Sequence, residues 1–465
     1  MAVRVSKGSS RTRSRVALLA VAGVVAATAW HSAWAVGAAP PVLVTQVSVD
    51  PVVSAGEAWT ATNPKNPKQV VVIWLGTTGD LAHPGALFTG YCGVGRSTDG
   101  GRTWKLSKLP LATTTNSGSI RELQPAARRF PICGDPMAGV GPDGTLYGAA
   151  VQLGAPTSFV QSVTSSDFGA HWTAPVQMFG AKQTASSFSS LGAAKRVAIG
   201  AGRGFMAVDP ITGEISVQSQ EDGAVEGRWL TVSSDRGKTW STPRPLDPEV
   251  QSATAGAHSA AGGTIAVAYV VNPSSPNYVT STKHAVTCAA TCTVFETTTN
   301  HGNTWSRHVI KGIQGSSRSY VAADPAHLGR FAVLASTGSG IYDIWLTNDR
   351  GVSWKKTKTI SAGAGEGLSK PWISYSPTGA LGVVWRTQRS SGSTDVLAMV
   401  SRNGGTSFSR VVTMDTNIPA EQQVTPGDDC ACNLHLDATT LSSTWTSWRT
   451  GQRQMYYGKF VYTNL

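Results

Sequence analysis

Ser97-Thr98-Asp99-Gly100-Gly101-Arg102-Thr103-Trp104 is the stretch whose reading decides the fold. The same eight-residue pattern returns as Ser233-Ser234-Asp235-Arg236-Gly237-Lys238-Thr239-Trp240, and with drift at four more places. Its acidic or amide position falls at Asp99, Asp167, Asp235, Asn300, Asp349 and Asn403, at intervals of 68, 68, 65, 49 and 54 residues. A turn recurring at such spacing marks a modular array. Four short strands with their turns fill one interval, the size of a propeller blade.

The turn has a local logic. The Asp or Asn oxygen accepts bonds from nearby backbone N–H groups and locks the turn. The Gly two residues later supplies a positive φ that other residues resist. The final Trp104, Trp172, Trp240, Trp305 and Trp354, and Phe408 in the last copy, offer a large apolar face to pack between blades. These are structural roles, so the turn Asp is not expected to touch a substrate.

Each unit opens with a strand that ends in a turn. Openings fall near Glu57, Asp135, Lys195, Thr254, Arg318 and Lys370. Second strands follow at residues 70–74, 145–151, 204–208, 264–271, 331–335 and 381–385. A seventh opening near Ala431 precedes two strands but no repeated turn. Residues 42–49 read as an orphan strand near the N-terminus, able to supply the missing fourth strand of the last blade. Such closure removes an open sheet edge. The expectation is an all-β propeller with seven four-stranded blades, six being the alternative.

Composition agrees. Only 14% of residues are charged, against about 25% in typical domains, and Gly is abundant at 50. Residues 1–35 read as a bacterial-type secretory signal. Arg4, Lys7, Arg11, Arg13 and Arg15 precede an apolar run, and Ala33-Trp34-Ala35 offers small residues for cleavage. The alternative is an N-terminal membrane anchor, for which the run is short. Cleavage would take the formal charge from +12 to +7 and leave residues 36–465 as one domain. A moderately basic secreted domain suits anionic glycans or cell-wall polymers, or merely solubility. No dense Lys/Arg run marks a nucleic-acid site, no later stretch can span a membrane, and a monomer is expected. Six cysteines behind a signal imply disulfides. Cys288 with Cys292 and Cys92 with Cys133 are plausible pairs, while Cys430-Ala-Cys432 would be strained.

The repeated turn resembles the Asp-box, or bacterial neuraminidase repeat, of the sialidase superfamily, and the likeness spans nearly all of the chain after residue 35. It implies a secreted β-propeller acting on or binding extracellular glycans, with exo-sialidase-like glycoside hydrolysis as the reaction class. That family places a Phe/Tyr-Arg-Ile-Pro motif on its first blade. Here Glu57-Ala58-Trp59 stands there, and Arg129-Phe130-Pro131 follows the first turn and lacks the Ile. No catalytic residue carries over by motif.

The candidates therefore come from register. The strand openings should meet at one rim of the central channel, with acids from Glu57 and Asp135 and cations from Lys195 or its neighbour Arg196, Arg318 and Lys370. Two residues on, pointing the same way, come Trp59, Met137, Val197, Tyr320 and Trp372. The functional reading assigns Asp135 or Glu57 as acid/base and Tyr320 as nucleophile. Arg196, Arg318 and Lys370 would bind an anion, between walls of Trp59 and Trp372. The bland reading is opposite charges neutralising one another around a narrow channel. Catalysis needs a carboxylate within reach of a pocket that holds a sugar; a plugged rim would leave a non-catalytic binder of protein or wall polymer. Tyr456, Tyr457 and Arg449 read as strand-face residues. No cofactor or metal is expected: Cys430-x-Cys432-x-x-His435 reads as disulfide or packing, and Asp428-Asp429 is too generic for calcium.

Overall fold

The computed structural model describes residues 40–50, 54–78, 89–111, 132–153, 159–179, 201–221, 228–246, 257–274, 286, 288–313, 319–338, 340–420 and 433–465. Among them, seven antiparallel sheets of four strands each form the blades of a propeller. Six blades take their strands consecutively, each strand pairing with the next. The seventh takes three from the C-terminus and its outermost from the N-terminus. There Leu43–Gln46 pairs antiparallel with Gln454–Val461, Leu43 opposite Lys459 and Gln46 opposite Tyr456. The orphan strand thus closes the ring.

The first strand of each blade lines the axis. These are Ser54–Asn63, Ile132–Val140, Ala201–Val208, Ser259–Ala261, Ser319–Ala323, Gly367–Tyr375 and Leu434–Leu436. One expectation needs correcting. Residues 204–208 were expected as the second strand of blade three, after an opening near Lys195. They belong to the first strand instead, and Ile215–Glu221 pairs with it. The hairpin turn between them, Asp209 to Glu214, opens with Asp-Pro as the blade-five turn does at Asp324-Pro325, with Asp209 accepting from Ile211 and Thr212 N–H.

All six repeated turns share a core of bonds, the Asn copies differing in that their amide N–H donates to Thr304 or Ser407 Oγ where the carboxylates accept. In the first, Ser97 Oγ donates to Asp99 Oδ1 at 2.7 Å and accepts from Gly101 N at 2.8 Å. Asp99 Oδ1 accepts from Arg102 and Thr103 N–H, and Oδ2 from Thr103 Oγ1 at 2.6 Å. Asn300 and Asn403 do the same work with an amide oxygen. These bonds pull the Asp99 and Asp167 carboxyls well below the usual carboxylate range and bring Asp235 and Asp349 down to about 2. The turn is tighter than the sequence suggested. The residue before the Gly also has positive φ, at Phe168 (56°), Arg236 (65°), His301 (59°) and Arg350 (57°).

The closing aromatics wedge between blades. Trp104 packs edge-on to Tyr457 of the last blade at 5.4 Å and donates Nε1–H to Thr45 of the closing strand. Trp354 packs against Phe295 of the preceding blade at 4.9 Å. These aromatics are half-buried, and the apolar area they take from water at roughly 25 cal/mol per Å² ties one blade to the next. Cys92–Cys133 joins blade one to blade two, and Cys288–Cys292 closes a short loop in blade four. Cys430, Cys432, Asp428, Asp429 and the signal region lie outside the described residues. No helix among the described residues is long and apolar enough to cross a membrane.

The two faces of the ring differ in their connections. The first-to-second strand turns and the repeated turns share one face and are short. At the opposite face the fourth strand of one blade ends and the first strand of the next begins, the two separated by longer stretches of sequence, and second strands end there as well. The first strands begin at this long-connection face.

Candidate functional site

Four of the axial strands carry the same irregularity at the same height. Pairing with the second strand slips between Gly56 and Trp59, Gly134 and Met137, Gly202 and Phe205, and Ser369 and Trp372. Each slip is a bulge of two residues: Glu57-Ala58, Asp135-Pro136, Arg203-Gly204 and Lys370-Pro371. Bulges bend a strand and re-aim its side chains. At three of them the leading residue sits at positive φ: Glu57 (50°), Asp135 (41°) and Lys370 (51°). Non-glycine residues avoid this region, and holding one there costs of order 1–3 kcal/mol. The rim is therefore a ring of strained, ionisable positions.

The bulges also aim large side chains at the axis. The ring of Trp59 lies 5.3 Å from that of Trp372 at 85°. Phe205 is 6.3 Å from Trp59 and 6.1 Å from Trp372, and Tyr320 is 5.1 Å from Trp372. Blades one, three and six are not neighbours in the ring. Rings from them can touch one another only across the axis. The channel is plugged at this level, one step below the rim. Met137, fully buried, fills the gap beside Gly204, where a Cβ would stand 2.6 Å from the Met137 methyl.

Glu57 and Asp135 are brought together. Glu57 Oε2 accepts the Asp135 backbone N–H at 2.9 Å, bridging blades one and two. The Cys92–Cys133 disulfide fastens the same pair of blades two residues from Asp135. Together they hold the strained Asp135 bulge in place. Lys370 stands at the matching position on blade six, half-buried like the two acids. Tyr320, 5% exposed, belongs to the plug and stacks on Trp372. Trp59 and Trp372 form its floor, at 8% and 9% exposure.

Arg196 and Arg318 lie outside the described residues, as do Lys195, Val197, Thr254 and Arg129-Phe130-Pro131. In blade three the register position expected for Lys195 or Arg196 falls to Arg203, and the wall position expected for Val197 falls to Phe205. A signal was available. Gly56-Glu57-Ala58-Trp59, Gly134-Asp135-Pro136-Met137, Gly202-Arg203-Gly204-Phe205 and Ser369-Lys370-Pro371-Trp372 share one pattern: small, charged, small, large. Ser317-Arg318-Ser319-Tyr320 repeats it.

Outside the axis, the same face is riveted between blades six and seven. Arg449 grips Asp415 through both terminal nitrogens, at 2.8 and 2.5 Å, and lies over the Tyr456 ring at 5.7 Å. Trp445 Nε1 donates to the same carboxylate at 2.7 Å. The bond to Asp415 holds the Arg449 guanidinium above its ordinary value. Tyr457 is fully buried. Tyr456 and Tyr457 lie on the last strand, whereas Arg449, read as a strand-face residue too, sits in the turn before it.

A family model described as a BNR repeat-like domain matches residues 126–383, more than half of the chain. The chain belongs to the BNR repeat-like family. Among solved structures, this BNR propeller is similar to a protein of unknown function from Dyadobacter fermentans, at 12% identity and a TM-score of 0.47, covering 91% of this chain and 100% of that one. It is also similar to a Hadza microbial sialidase, at 13% identity and a TM-score of 0.46, covering 91% and 96%. An α-L-arabinofuranosidase from Fusarium graminearum follows at 15% identity and a TM-score of 0.44, covering 78% and 95%. A search of curated protein sequences finds no match.

Proposed function

We propose that this BNR propeller is an extracellular protein that engages a glycan or cell-wall polymer at the long-connection rim. A single observation carries the reading: strained ionisable residues Glu57, Asp135 and Lys370 crown a floor of aromatic rings. A sugar ring offers hydroxyls to charged groups and an apolar C–H face to an aromatic platform. The signal peptide over residues 1–35, a single domain over 36–465, and a monomeric state belong to the same reading. The Cys92–Cys133 disulfide supports an oxidising compartment.

Glycoside hydrolysis is the reaction class such a rim could perform. Asp135 would be the acid/base, steadied through its N–H by Glu57, and Tyr320 the nucleophile. Arg196, Arg318 and Lys370 would hold an anionic substituent. One observation favours the non-catalytic alternative: among the described residues, aromatic rings plug the axis at this end, and Tyr320 is packed among them. The discriminating experiment pairs two readouts on wild type and Asp135→Asn. One is release of a fluorescent leaving group from aryl glycosides, sialosides included; the other is direct binding to immobilised polysaccharides. Turnover lost in Asp135→Asn supports hydrolysis. Binding without turnover supports the binder. Neither turnover nor binding sinks the glycan reading.

A further inference from the structure

The plug divides the channel, and its other half is a separate space. Below Trp59 and Trp372 a cavity of about 420 Å³ runs to the short-turn face, walled by the axial strands of all seven blades. Its size falls in the usual range for small-molecule sites, about 300–1,000 Å³. Glu57, Asp135 and Lys370 do not line it.

The cavity is preformed. Pro64, Pro142, Pro210, Pro325 and Pro377 frame its far end with fixed φ. The turns that carry them are locked. Asn63 Oδ1 accepts Lys65 N–H, Asp324 Oδ1 accepts Ala326 N–H, and Asp209 Oδ2 reaches Gly263 N–H of the next blade at 2.7 Å. A rigid site spends little free energy on ordering when a ligand enters.

Its wall chemistry selects the ligand. Lys65, at the far end, is the one charged side chain apart from histidine that lines it. A charged guest would go unpaired deep inside, which is costly. Two of the polar wall groups are already committed. The Asn433 amide makes both bonds to the Thr60 backbone, at 2.9 Å each, and Ser259 Oγ accepts Ala323 N–H. His435 lines the cavity as well, between Leu434 and Leu436 of the seventh blade. Burial brings its pKa down to about 4, against the pull of Asp437 and with a smaller push from Lys459. It is therefore neutral near pH 7, with one donor and one acceptor nitrogen. At the closed end two indole rings stand edge to face, an arrangement that accepts a further planar ring.

We propose that this cavity is a second binding site, distinct from the rim, for an uncharged aromatic small molecule whose ring packs against Trp59 and Trp372 and whose polar end hydrogen-bonds His435. The test uses the full chain and 2-naphthol as probe, with 2-naphthoate as its charged counterpart and glucose as a neutral non-aromatic control, read by equilibrium dialysis at pH 7. 2-Naphthol should bind, with 2-naphthoate and glucose at least about tenfold weaker, a difference of about 1.4 kcal/mol. Ser374→Trp fills the cavity and should abolish binding; Ser374→Leu, a milder filling, should weaken it should the larger variant fail to fold. His435→Phe should weaken binding about tenfold. Polysaccharide binding at the rim should survive in every folded variant. No 2-naphthol binding at millimolar concentration overturns the proposal. So does equal binding of 2-naphthoate or glucose, or wild-type binding by a folded Ser374 variant.

Discussion

The two faces of the propeller strain their backbones in the same way for different ends. On the short-turn face Arg236, His301 and Arg350 sit at positive φ inside the repeated turn. There the cost is offset within eight residues by a closed set of side-chain bonds, such as those of Ser233 and Asp235. On the long-connection face Glu57, Asp135 and Lys370 hold similar φ values in strand bulges. Their support comes from elsewhere: another blade's carboxylate in the case of Asp135, and the ring plug beneath. Strain balanced locally builds a turn that any blade can reuse. Strain balanced at long range depends on the ring's having closed around it.

The largest test of the comparison is the ring itself. Removing residues 1–50 deletes the strand at Leu43–Gln46, Thr45 Oγ1 from the Trp104 indole, and the buried Val47. The shortened chain should lose its cooperative thermal transition; a wild-type melting curve would show that the ring closes without it. Next in size is the repeated turn. Asp235→Ala should cost on the order of 1–2 kcal/mol, the usual penalty for losing a capping oxygen, read as a lower denaturant midpoint. Asp235→Asn should cost less, since it loses the charge but keeps an acceptor oxygen, as Asn300 and Asn403 do in other blades. Equal losses in both variants would mean the charge, not the acceptor oxygen, holds the turn.

The rim should behave in the opposite sense. Lys370→Gly relieves the left-handed strain and should stabilise the fold by about 1 kcal/mol while weakening glycan binding. A destabilised Lys370→Gly would remove strain as the mark of this face. The smallest effect is in pH. The turn carboxyls titrate lower folded than unfolded, Asp235 and Asp349 at about 2. Their contribution is therefore complete above the ordinary carboxylate range near pH 4 and fades as the pH falls toward 2. Amide exchange in the Asp-bearing turns should quicken over that window, and exchange in the turns of Asn300 and Asn403 should not. Matching pH profiles in the two kinds of turn would place the acid sensitivity elsewhere.

Particular residues show where sequence reading stops. Asp99 and its relatives were legible because every bond they make lies within a few positions of chain. The same was true of the closing strand, betrayed by a blade one strand short. Phe205 was missed because residues 204–208 read equally well as a first or a second strand. Only the spacing of the small-charged-small-large tetrad separates those choices. Glu57 reads from the sequence as an alternative to Asp135 for the acid; its bond to the Asp135 N–H joins residues 78 positions apart, which no local pattern shows.

From its sequence alone this protein is a seven-bladed BNR propeller with a closing N-terminal strand, because blade turns and strand pairs are local and repeat. The tertiary structure decided what lies on the axis. Rings from blades one, three and six meet there, their strands bent by bulges, and divide one channel into a charged rim and a neutral cavity. No local pattern encodes a contact made across the centre of a ring.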